Sequence, residues 1–301
     1  MAQTFVAGPV TVTVPATSAN LGPGFDSLGL ALDLRDTLVA EVLPAGLEVE
    51  VDGAGAAAVP RDESHLVVRS MRAAFAALGE QPPGLRLSCR NVIPHARGLG
   101  SSSAAIVGGI VLARALVAGG ADRLDDDAAF RLAAELEGHP DNVAPAMYGG
   151  FTISGREGEE FYSVPSPVAT GIGAVVLIPP GGVETVIARG LLPGTVPHAD
   201  AAADAGRTAL LVAALAGRPD QLWRATRDYL HQDFRRPAMP ESLALVDALR
   251  ADGVPAVVSG AGPTVLAFTG GHDADTLLAR TPQGWLGRAL AIDPTGARVE
   301  E

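Results

Sequence analysis

Residues 94–105 read Pro-His-Ala-Arg-Gly-Leu-Gly-Ser-Ser-Ser-Ala-Ala, and they connect a predicted strand to a predicted helix. Before them, residues 85–90 alternate apolar and polar side chains, as strands do. After them, residues 104–117 are rich in Ala, Val, Ile and Leu and predict a buried helix. Glycines let the backbone approach a ligand, and the free N–H groups and dipole of a helix start favour an anion. The stretch therefore predicts either a nucleotide phosphate site or a capped helix after a tight turn.

Composition narrows the class of protein. The 301 residues suffice for two domains with ample core, and the net charge of −12 argues against a nucleic-acid groove. Local backbone dipoles can still hold phosphate inside an acidic protein. The single Cys89 shares the apolar face of its strand with Leu85 and Leu87, which favours packing over a nucleophilic role. With no run long enough to span a membrane and no basic, apolar leader, we expect a cytoplasmic protein without a membrane partner.

One absence restricts the phosphate chemistry. The chain contains no lysine, so its 22 basic side chains are all arginine. A Walker A loop and a protein-kinase strand both require a lysine. Any phosphate chemistry must therefore use backbone N–H groups, Mg²⁺, arginine and serine.

A Gly- and Pro-rich loop follows the first predicted strand. Residues 10–14 alternate Thr and Val, and Pro15 is expected to end that strand. The loop at 16–26 carries one amide, Asn20, and one acid, Asp26, among uncharged residues. The pattern is compatible with a surface connection, but loops on rigid scaffolds often carry function.

A second polar cluster lies just before a Gly-Gly turn at 149–150. Glu137, His139, Asp141 and Asn142 fall within six residues. They could form only a helix stop followed by a helix cap, or they could form a site. The spacing does not suit zinc, which prefers more His or Cys ligands. A carboxylate as one of a few Mg²⁺ ligands, with phosphate and water supplying the rest, fits better.

The polar, turn-rich segment at 155–167 is the predicted domain boundary. We expect an N-terminal domain at 1–160 and a C-terminal domain at 161–301. The second half reads as β, helices, β, β, α, β, which matches a ferredoxin-like pattern with extra helices. Elsewhere the patterns predict separate strands at 28–34 and 37–43 and helices at 201–216, 221–233 and 241–250.

Three stretches in this order and spacing resemble the GHMP small-molecule kinase family, and together they cover nearly the whole chain. They are residues 15–30, 94–105 and 259–264. Residues 17–26 and 137–145, supported by 185–189 and 231–235, are most similar to the members that phosphorylate L-homoserine, a step toward threonine. The resemblance implies an α+β, two-domain GHMP kinase fold. An S5-like N-terminal ATP-binding domain would meet a ferredoxin-like C-terminal domain, with ATP and substrate between them.

The resemblance also implies residue roles. The phosphates of ATP would be wrapped by Pro94, His95, Ala96, Arg97, Gly98, Leu99, Gly100, Ser101, Ser102, Ser103 and Ala104. Ser102 and Glu137 would hold Mg²⁺. The substrate would be surrounded by Asn20, Asp26, His139, Asp141, Asn142, Thr185, Arg189 and Arg235, of which Asn20, Asp26, Asn142 and Arg189 are the expected catalytic residues. The loop 260–264 would line the cleft from the second domain.

The chemistry of the substrate agrees with these roles. Homoserine is a zwitterion with a terminal hydroxyl. Its carboxylate suits the planar donors of Arg189 and Arg235, and its ammonium suits Asp26. A neutral alcohol would not need both kinds of partner.

The family pattern also bears on the mechanism. Some relatives place an aspartate as base before the Gly-Gly turn, but here that residue is Asn142. We expect no strong general base, and catalysis by positioning and charge neutralisation. The phosphate or solvent would take the hydroxyl proton late, with a base role for Asp141 left open.

Several alternatives remain at this stage. Another GHMP kinase with a different small alcohol, or a non-catalytic sensor on the same scaffold, would share much of the pattern. The adenine contacts are open, since relatives often have Asn-Leu where this chain has His65-Leu66. Which of Arg235 and Arg236 points inward is also open. A homodimer through an exposed edge strand is expected.

Overall fold

The computed structural model describes residues 4–300. The strands are β1 (Val10–Ala19), β2 (Leu28–Leu43), β3 (Gly46–Gly53), β4 (Gly84–Asn91), β5 (Phe151–Glu157), β6 (Glu160–Ser166), β7 (Ala174–Ile178), β8 (Ala256–Val258), β9 (Val265–Phe268), β10 (Leu286–Leu290) and β11 (Arg298–Glu300). The helices are α1 (Leu66–Ala77), α2 (Ser101–Leu116), α3 (Gly120–Arg123), α4 (Asp126–Glu137), α5 (Val143–Tyr148), α6 (Thr185–Gly190), α7 (His198–Gly217), α8 (Leu222–Ala225), α9 (Pro240–Ala251) and α10 (Ala274–Leu278). Two 3₁₀ turns lie at Pro219–Gln221 and Asp233–Ala238.

The first sheet has seven strands. Its main path runs β11-β1-β2-β4-β3, and β5 pairs with the other end of β2 and with β6. Strands β3 and β4 are parallel and are connected by α1, whereas the other pairs are antiparallel. The predicted boundary near residue 160 thus falls at the start of β6, and the chain returns to this sheet at β11.

The strand β1 continues past Pro15, so the expectation that Pro15 ends it is wrong. The pairing with β2 shifts register between Pro15 and Ala16 and then continues to Ala19. Pro15 has no N–H to donate, and it lies at this register shift and beyond the pairing of β1 with β11, which covers only Thr11 to Thr13.

The two strands predicted at 28–34 and 37–43 form one strand, β2. The polar residues between them are accommodated by side-chain contacts rather than by a turn. Arg35 donates to the Thr13 hydroxyl and pairs with Asp293. Asp36 accepts from the backbone N–H groups of Val92 and Ile93.

Helix α2 lies at the centre of the first domain and is buried on nearly all sides. Two glycines allow this close packing. A Cβ at Gly108 would overlap Leu38, and a Cβ at Gly109 would lie 2.6 Å from the Val67 carbonyl oxygen of α1. The fixed position of α2 in turn fixes the loop that precedes it.

The second sheet has the order β10-β7-β9-β8 and is antiparallel throughout. Counted from β7, this order is 4-1-3-2, and it confirms the ferredoxin-like pattern predicted from the second half of the sequence. Strands β8 and β10 are its edges, while the homodimer stays a prediction. None of the described helices is long and apolar enough to cross a bilayer.

Two predicted segments differ from the structure. The segment 155–167 is not a loop but most of the β5–β6 hairpin, whose polar character reflects its exposed outer strand. The helix predicted at 221–233 is only the four-residue α8. The carboxylate of Asp228 accepts from the N–H groups of Leu230, His231 and Gln232 and starts a new turn there.

Candidate active site

A cleft of about 470 Å³ lies between the two domains. The first domain contributes the loop before α2 and the residues after α4. The second contributes the start of α6, Arg235 and the loop at 260–262. The three stretches behind the family resemblance therefore meet in one place.

The loop before α2 has an unusual backbone. Ala96, Gly98 and Gly100 have φ values of 52°, 73° and 69°. A Cβ at Gly98 would overlap the carbonyl oxygen of Ser259, and one at Gly100 would overlap the Thr17 hydroxyl. No side chain of the described chain caps α2, and Gly100, Ser101 and Ser102 line the cleft. The free N–H groups at the start of α2 are therefore available to an anion.

Contacts from the second domain hold this loop in place. The hydroxyl of Ser259 donates to the Gly98 carbonyl at 2.6 Å, and the Thr264 N–H donates to the Arg97 carbonyl at 3.3 Å. The Arg97 side chain donates to the carbonyls of Pro179 and Pro180. The Arg97 guanidinium is thus bound to backbone, and only its main chain remains for phosphate.

The two predicted metal ligands lie against each other. Ser102 and Ser103 donate hydrogen bonds to the same carboxylate oxygen of Glu137, at 2.6 and 2.9 Å. Among residues 4–300, no three His, Cys, Asp or Glu side chains are placed to hold a metal. The donors present are all oxygens and few, which suits Mg²⁺ completed by phosphate and water.

Asp26 and Arg189 form a two-pronged ion pair, with N–O distances of 2.6 and 3.0 Å. Each side chain is 37% exposed, so solutes can reach the pair. Asn20 positions the acid: its Oδ1 accepts from the Asp26 N–H, and its Nδ2 donates to the Gly260 carbonyl, both at 2.9 Å. Asn20 therefore connects the loop of the first domain to the loop of the second.

Arg235 is 1% exposed and lies beside this ion pair, over the ring of Phe25. It donates to Nδ1 of His231 at 3.0 Å and to the Gly260 carbonyl, but its Nε has no partner among the described residues. Burial, with the charge of Arg189 adding to it, lowers the pKa of Arg235 to about 10.

The neighbouring Arg236 points away from the cleft. It pairs with Asp233 and Asp247 at the surface, so the inward arginine is Arg235. Burial lowers the pKa of His231, which stays neutral. Because its Nδ1 accepts from Arg235, its Nε2 carries the proton and donates to the Gly22 carbonyl at 2.7 Å.

The cluster after α4 completes this end of the cleft. His139 Nδ1 lies 3.0 Å from the buried carboxylate of Asp141. Burial lowers the pKa of His139, but the hydrogen bond and charge of Asp141 and the charge of Glu137 outweigh it, and the net pKa is raised. Asn142 accepts from the Thr17 hydroxyl at 2.8 Å.

Most residues predicted for the site line the cleft. Pro94, Asp26 and Ser103 do not, although Asp26 reaches it through Arg189 and Ser103 through Glu137. Cys89 is buried, and burial raises the pKa of its thiol to about 12. That thiol stays protonated, as a packing role requires.

At the end of the cleft opposite Arg235, the sequence drew attention only to His65 and Leu66. Its walls include Val59, Pro60, Leu66, Val67, Leu38, Asp36 and Asn91. His65 also lies there. It is 5% exposed, and its Nδ1 has no partner within residues 4–300. No local pattern marks this end, because its side chains come from four separate segments and resemble ordinary core.

Comparisons with known proteins agree with this geometry. The chain matches the description "GHMP kinases N terminal domain" over residues 65–150 and "GHMP kinases C terminal" over residues 210–284. It is 56% identical to the homoserine kinase of Streptomyces avermitilis, over 98% of this chain and 97% of the relative. Identity to the homoserine kinase of Clavibacter michiganensis is 49%, over 97% and 94% of the two chains. A crystal structure of homoserine kinase from Cytophaga hutchinsonii aligns over 100% of both chains, with a TM-score of 0.85 and 25% identity. These likenesses confirm the predicted fold class.

Proposed function

We propose that this chain, which belongs to the GHMP kinase family, transfers the γ-phosphoryl group of ATP to the side-chain hydroxyl of L-homoserine. The observation that carries the proposal is the combination at one end of the cleft. One carboxylate, Asp26, pairs with the guanidinium of Arg189, and Arg235 lies beside them; both arginines line the same cleft as the phosphate loop. An amino acid with a terminal hydroxyl matches these charges.

The nucleotide would lie along the loop and the apolar end of the cleft. Gly98 and Gly100 present backbone to the phosphates, and the 16-residue helix α2 adds its dipole. The adenine would occupy the end with Val59, Leu66 and His65, where the unpartnered Nδ1 of His65 can hydrogen-bond to the base.

Ser102 and Glu137 would hold Mg²⁺, because they provide adjacent oxygen donors at the start of α2. When bound, the ion would neutralise charge on the phosphate oxygens. In the present arrangement, the two serine hydroxyls occupy the Glu137 oxygen and keep it beside the phosphate loop.

The amino acid would bind by exchanging ion pairs. The ammonium of homoserine would pair with the Asp26 carboxylate and displace part of its contact with Arg189. The N–H donors of Arg189 that become free would then bind the carboxylate of homoserine. Arg235 adds its unpartnered Nε, and Phe25 holds both guanidiniums in place. A zwitterion adds no net charge to this region and pairs with both signs of charge, whereas a neutral alcohol would leave the pair unchanged and gain nothing from Arg235.

We expect that no strong general base acts on the homoserine hydroxyl. Asn142 lies there and accepts from Thr17, and the carboxylate of Asp141 is engaged with His139. Rate enhancement would come from alignment of the hydroxyl with the γ-phosphate and from charge stabilisation by Mg²⁺ and the backbone N–H groups of the phosphate loop. The hydroxyl proton would leave late, to the phosphate or to solvent.

The test is ADP release by the purified protein with Mg-ATP and a panel of alcohols. We expect turnover with L-homoserine, and at most weak turnover with L-threonine, mevalonate, shikimate or a cytidine-linked polyol. Turnover of another panel alcohol without homoserine would overturn the substrate assignment. Binding of ATP without turnover of any alcohol would overturn the kinase assignment.

A further inference from the structure

A second cavity, of about 320 Å³, lies between α8 and α9 in the second domain. Trp223, Arg227 and Asp228 line one side of it, and Val246, Asp247 and Arg250 line the other. It shares no lining residue with the cleft described above. Its walls combine an aromatic ring, an apolar surface and several charges, as small-molecule sites do.

The acids of this cavity already have partners. Asp233 and Asp247 both pair with Arg236, at 2.6 and 2.9 Å. The carboxylate of Asp228 accepts from three backbone N–H groups. These acids keep their charge, but the carboxylates are oriented toward partners within the protein.

The arginines of the cavity have no such partners. Neither Arg227 nor Arg250, nor the nearby Arg207, has a carboxylate within 4.0 Å among the described residues. These guanidiniums thus lack a carboxylate partner in a chain whose net charge is −12.

Arg250 is held in position without a counter-charge. It donates to the Thr226 hydroxyl at 2.9 Å and to the Trp223 carbonyl at 2.8 Å, and it lies over the Trp223 ring. Burial lowers the pKa of Arg250, and the charges of Arg227 and Arg207 lower it further. A fixed, partly desolvated cation that two like charges repel would gain from a bound anion.

We propose that this cavity binds a small organic anion through one carboxylate or phosphate group held between Arg227 and Arg250. The rest of the ligand would pack against Trp223 and Val246. The volume of 320 Å³ leaves room for a carbon skeleton beside the anionic group.

Hydrogen bonds connect the walls of this cavity to the end of the cleft that contains Asp26, Arg189 and Arg235, called here the amino-acid end. Asp228 accepts from the His231 N–H, and His231 accepts from Arg235. Gln232 accepts from the Val258 N–H, two residues before Gly260, whose carbonyl binds Asn20 and Arg235. An anion bound in the second cavity would therefore alter the binding of homoserine. This coupling rests on the function proposed above, whereas the binding of the anion does not.

Trp223 provides a local reporter. The chain has two tryptophans, and a Trp285→Phe variant leaves Trp223 as the single one. We would titrate this protein with inorganic phosphate and, separately, with succinate, while a non-hydrolysable ATP analogue, Mg²⁺ and homoserine occupy the cleft. Sodium chloride of equal ionic strength is the salt control. We expect a saturable change in Trp223 emission with at least one of the two probes.

The variants separate the cavity from general surface charge. Arg227→Gln should weaken the saturable change about tenfold or more, since a charge-assisted donor is lost. Arg224→Gln removes an exposed arginine of α8 that does not line the cavity, and should leave the change intact. A response to phosphate alone or to succinate alone assigns the group that is bound. No saturable response to either, or an equal response in Arg227→Gln, overturns the proposal.

The coupling has its own readout. The probe that binds should change the KM for homoserine at least twofold in the parent protein and not in Arg227→Gln, at fixed ATP. Competition with ATP at the phosphate loop would affect both proteins equally. Binding at Trp223 with equal KM values in both proteins would overturn the coupling.

Discussion

The two ends of the cleft are built from different groups of the protein, backbone at one end and side chains at the other. The phosphate end comes from one continuous stretch, and it uses backbone in conformations that only glycine adopts easily, at Gly98 and Gly100. The amino-acid end comes from four segments far apart in the chain, around residues 20–26, 137–142, 185–189 and 231–235, and it uses side chains. The first end depends on shape, and the second on charge balance.

This difference predicts different failures. A change at the phosphate end should harm folding and nucleotide binding together, because the loop also packs against the second domain at Ser259. A change at the amino-acid end should affect one substrate and spare the other. The following variants test this contrast, from the largest expected effect to the smallest.

Gly98→Ala should be the most damaging. Its Cβ would overlap the Ser259 carbonyl, and the backbone has φ +73°. We expect loss of nearly all activity and destabilisation of about 2–4 kcal/mol, from backbone strain plus overpacking. Gly119→Ala is the matched control, with φ +68° and open space around it. Activity assays and urea unfolding would measure both, and equal losses in the two variants would contradict a packing role for Gly98.

Arg235→Ala should act on one substrate. Loss of a buried cation that binds carboxylate should raise the KM for homoserine roughly 50- to 1,000-fold, with little change in the KM for ATP. Arg236→Ala, which removes only surface ion pairs, should change neither value by more than about twofold. Steady-state kinetics over both substrates measures this. Equal increases in both KM values in Arg235→Ala would mean that the residue is structural or faces the nucleotide.

Glu137→Gln should lower kcat about 10- to 100-fold and raise the Mg²⁺ concentration needed for half-maximal rate. The amide can still accept from Ser102 and Ser103, so the fold should remain. Glu135→Gln, an exposed residue on the same helix α4, is the control and should behave like the parent. A normal Mg²⁺ titration in Glu137→Gln would exclude this carboxylate as a ligand.

Asp204→Asn should change stability rather than chemistry. Burial, with the charge of Asp228 adding to it, raises the pKa of Asp204 from 3.8 to about 7, although the Tyr229 N–H opposes this. The protonated acid therefore favours the folded state, and stability is lost as pH rises from about 4 to 7. The amide of the variant does not titrate, so its stability does not fall over this pH range. Its oxygen can still accept from the Tyr229 N–H.

The variant should therefore match the parent near pH 4 and exceed it by on the order of 1–3 kcal/mol at pH 8. Urea unfolding at both pH values measures the difference. A difference that stays constant with pH would show that Asp204 does not titrate in this range.

The sequence predicted the phosphate end better than the amino-acid end. The strand, loop and helix around Gly98 are a local pattern, and the structure confirms it over residues 84–116. The sequence-based predictions failed where contacts that the local pattern does not show determine the structure. Pro15 reads as a stop, but a register shift carries β1 past it. The helix expected at 221–233 ends early because Asp228 binds the backbone that follows.

The end of the cleft around His65 was identified only in part from the sequence, for a related reason. His65 precedes an ordinary amphipathic helix, and only the burial of its unpartnered Nδ1 in the cleft distinguishes it from a surface histidine. The proximity of the site residues depends on the whole fold.

By itself the sequence determined the phosphate loop, the absence of lysine chemistry and the polar residues available to a substrate, because these depend on residue type and short-range spacing. The tertiary structure decided which of those residues meet. Asp26 and Arg189 are 163 residues apart, and Ser259 and Gly98 are 161 apart, yet both pairs lie in hydrogen-bond contact. Such contacts depend on how two sheets and their loops pack, and no local pattern encodes that packing. For the same reason, only the fold could show that Arg235 faces inward and Arg236 outward.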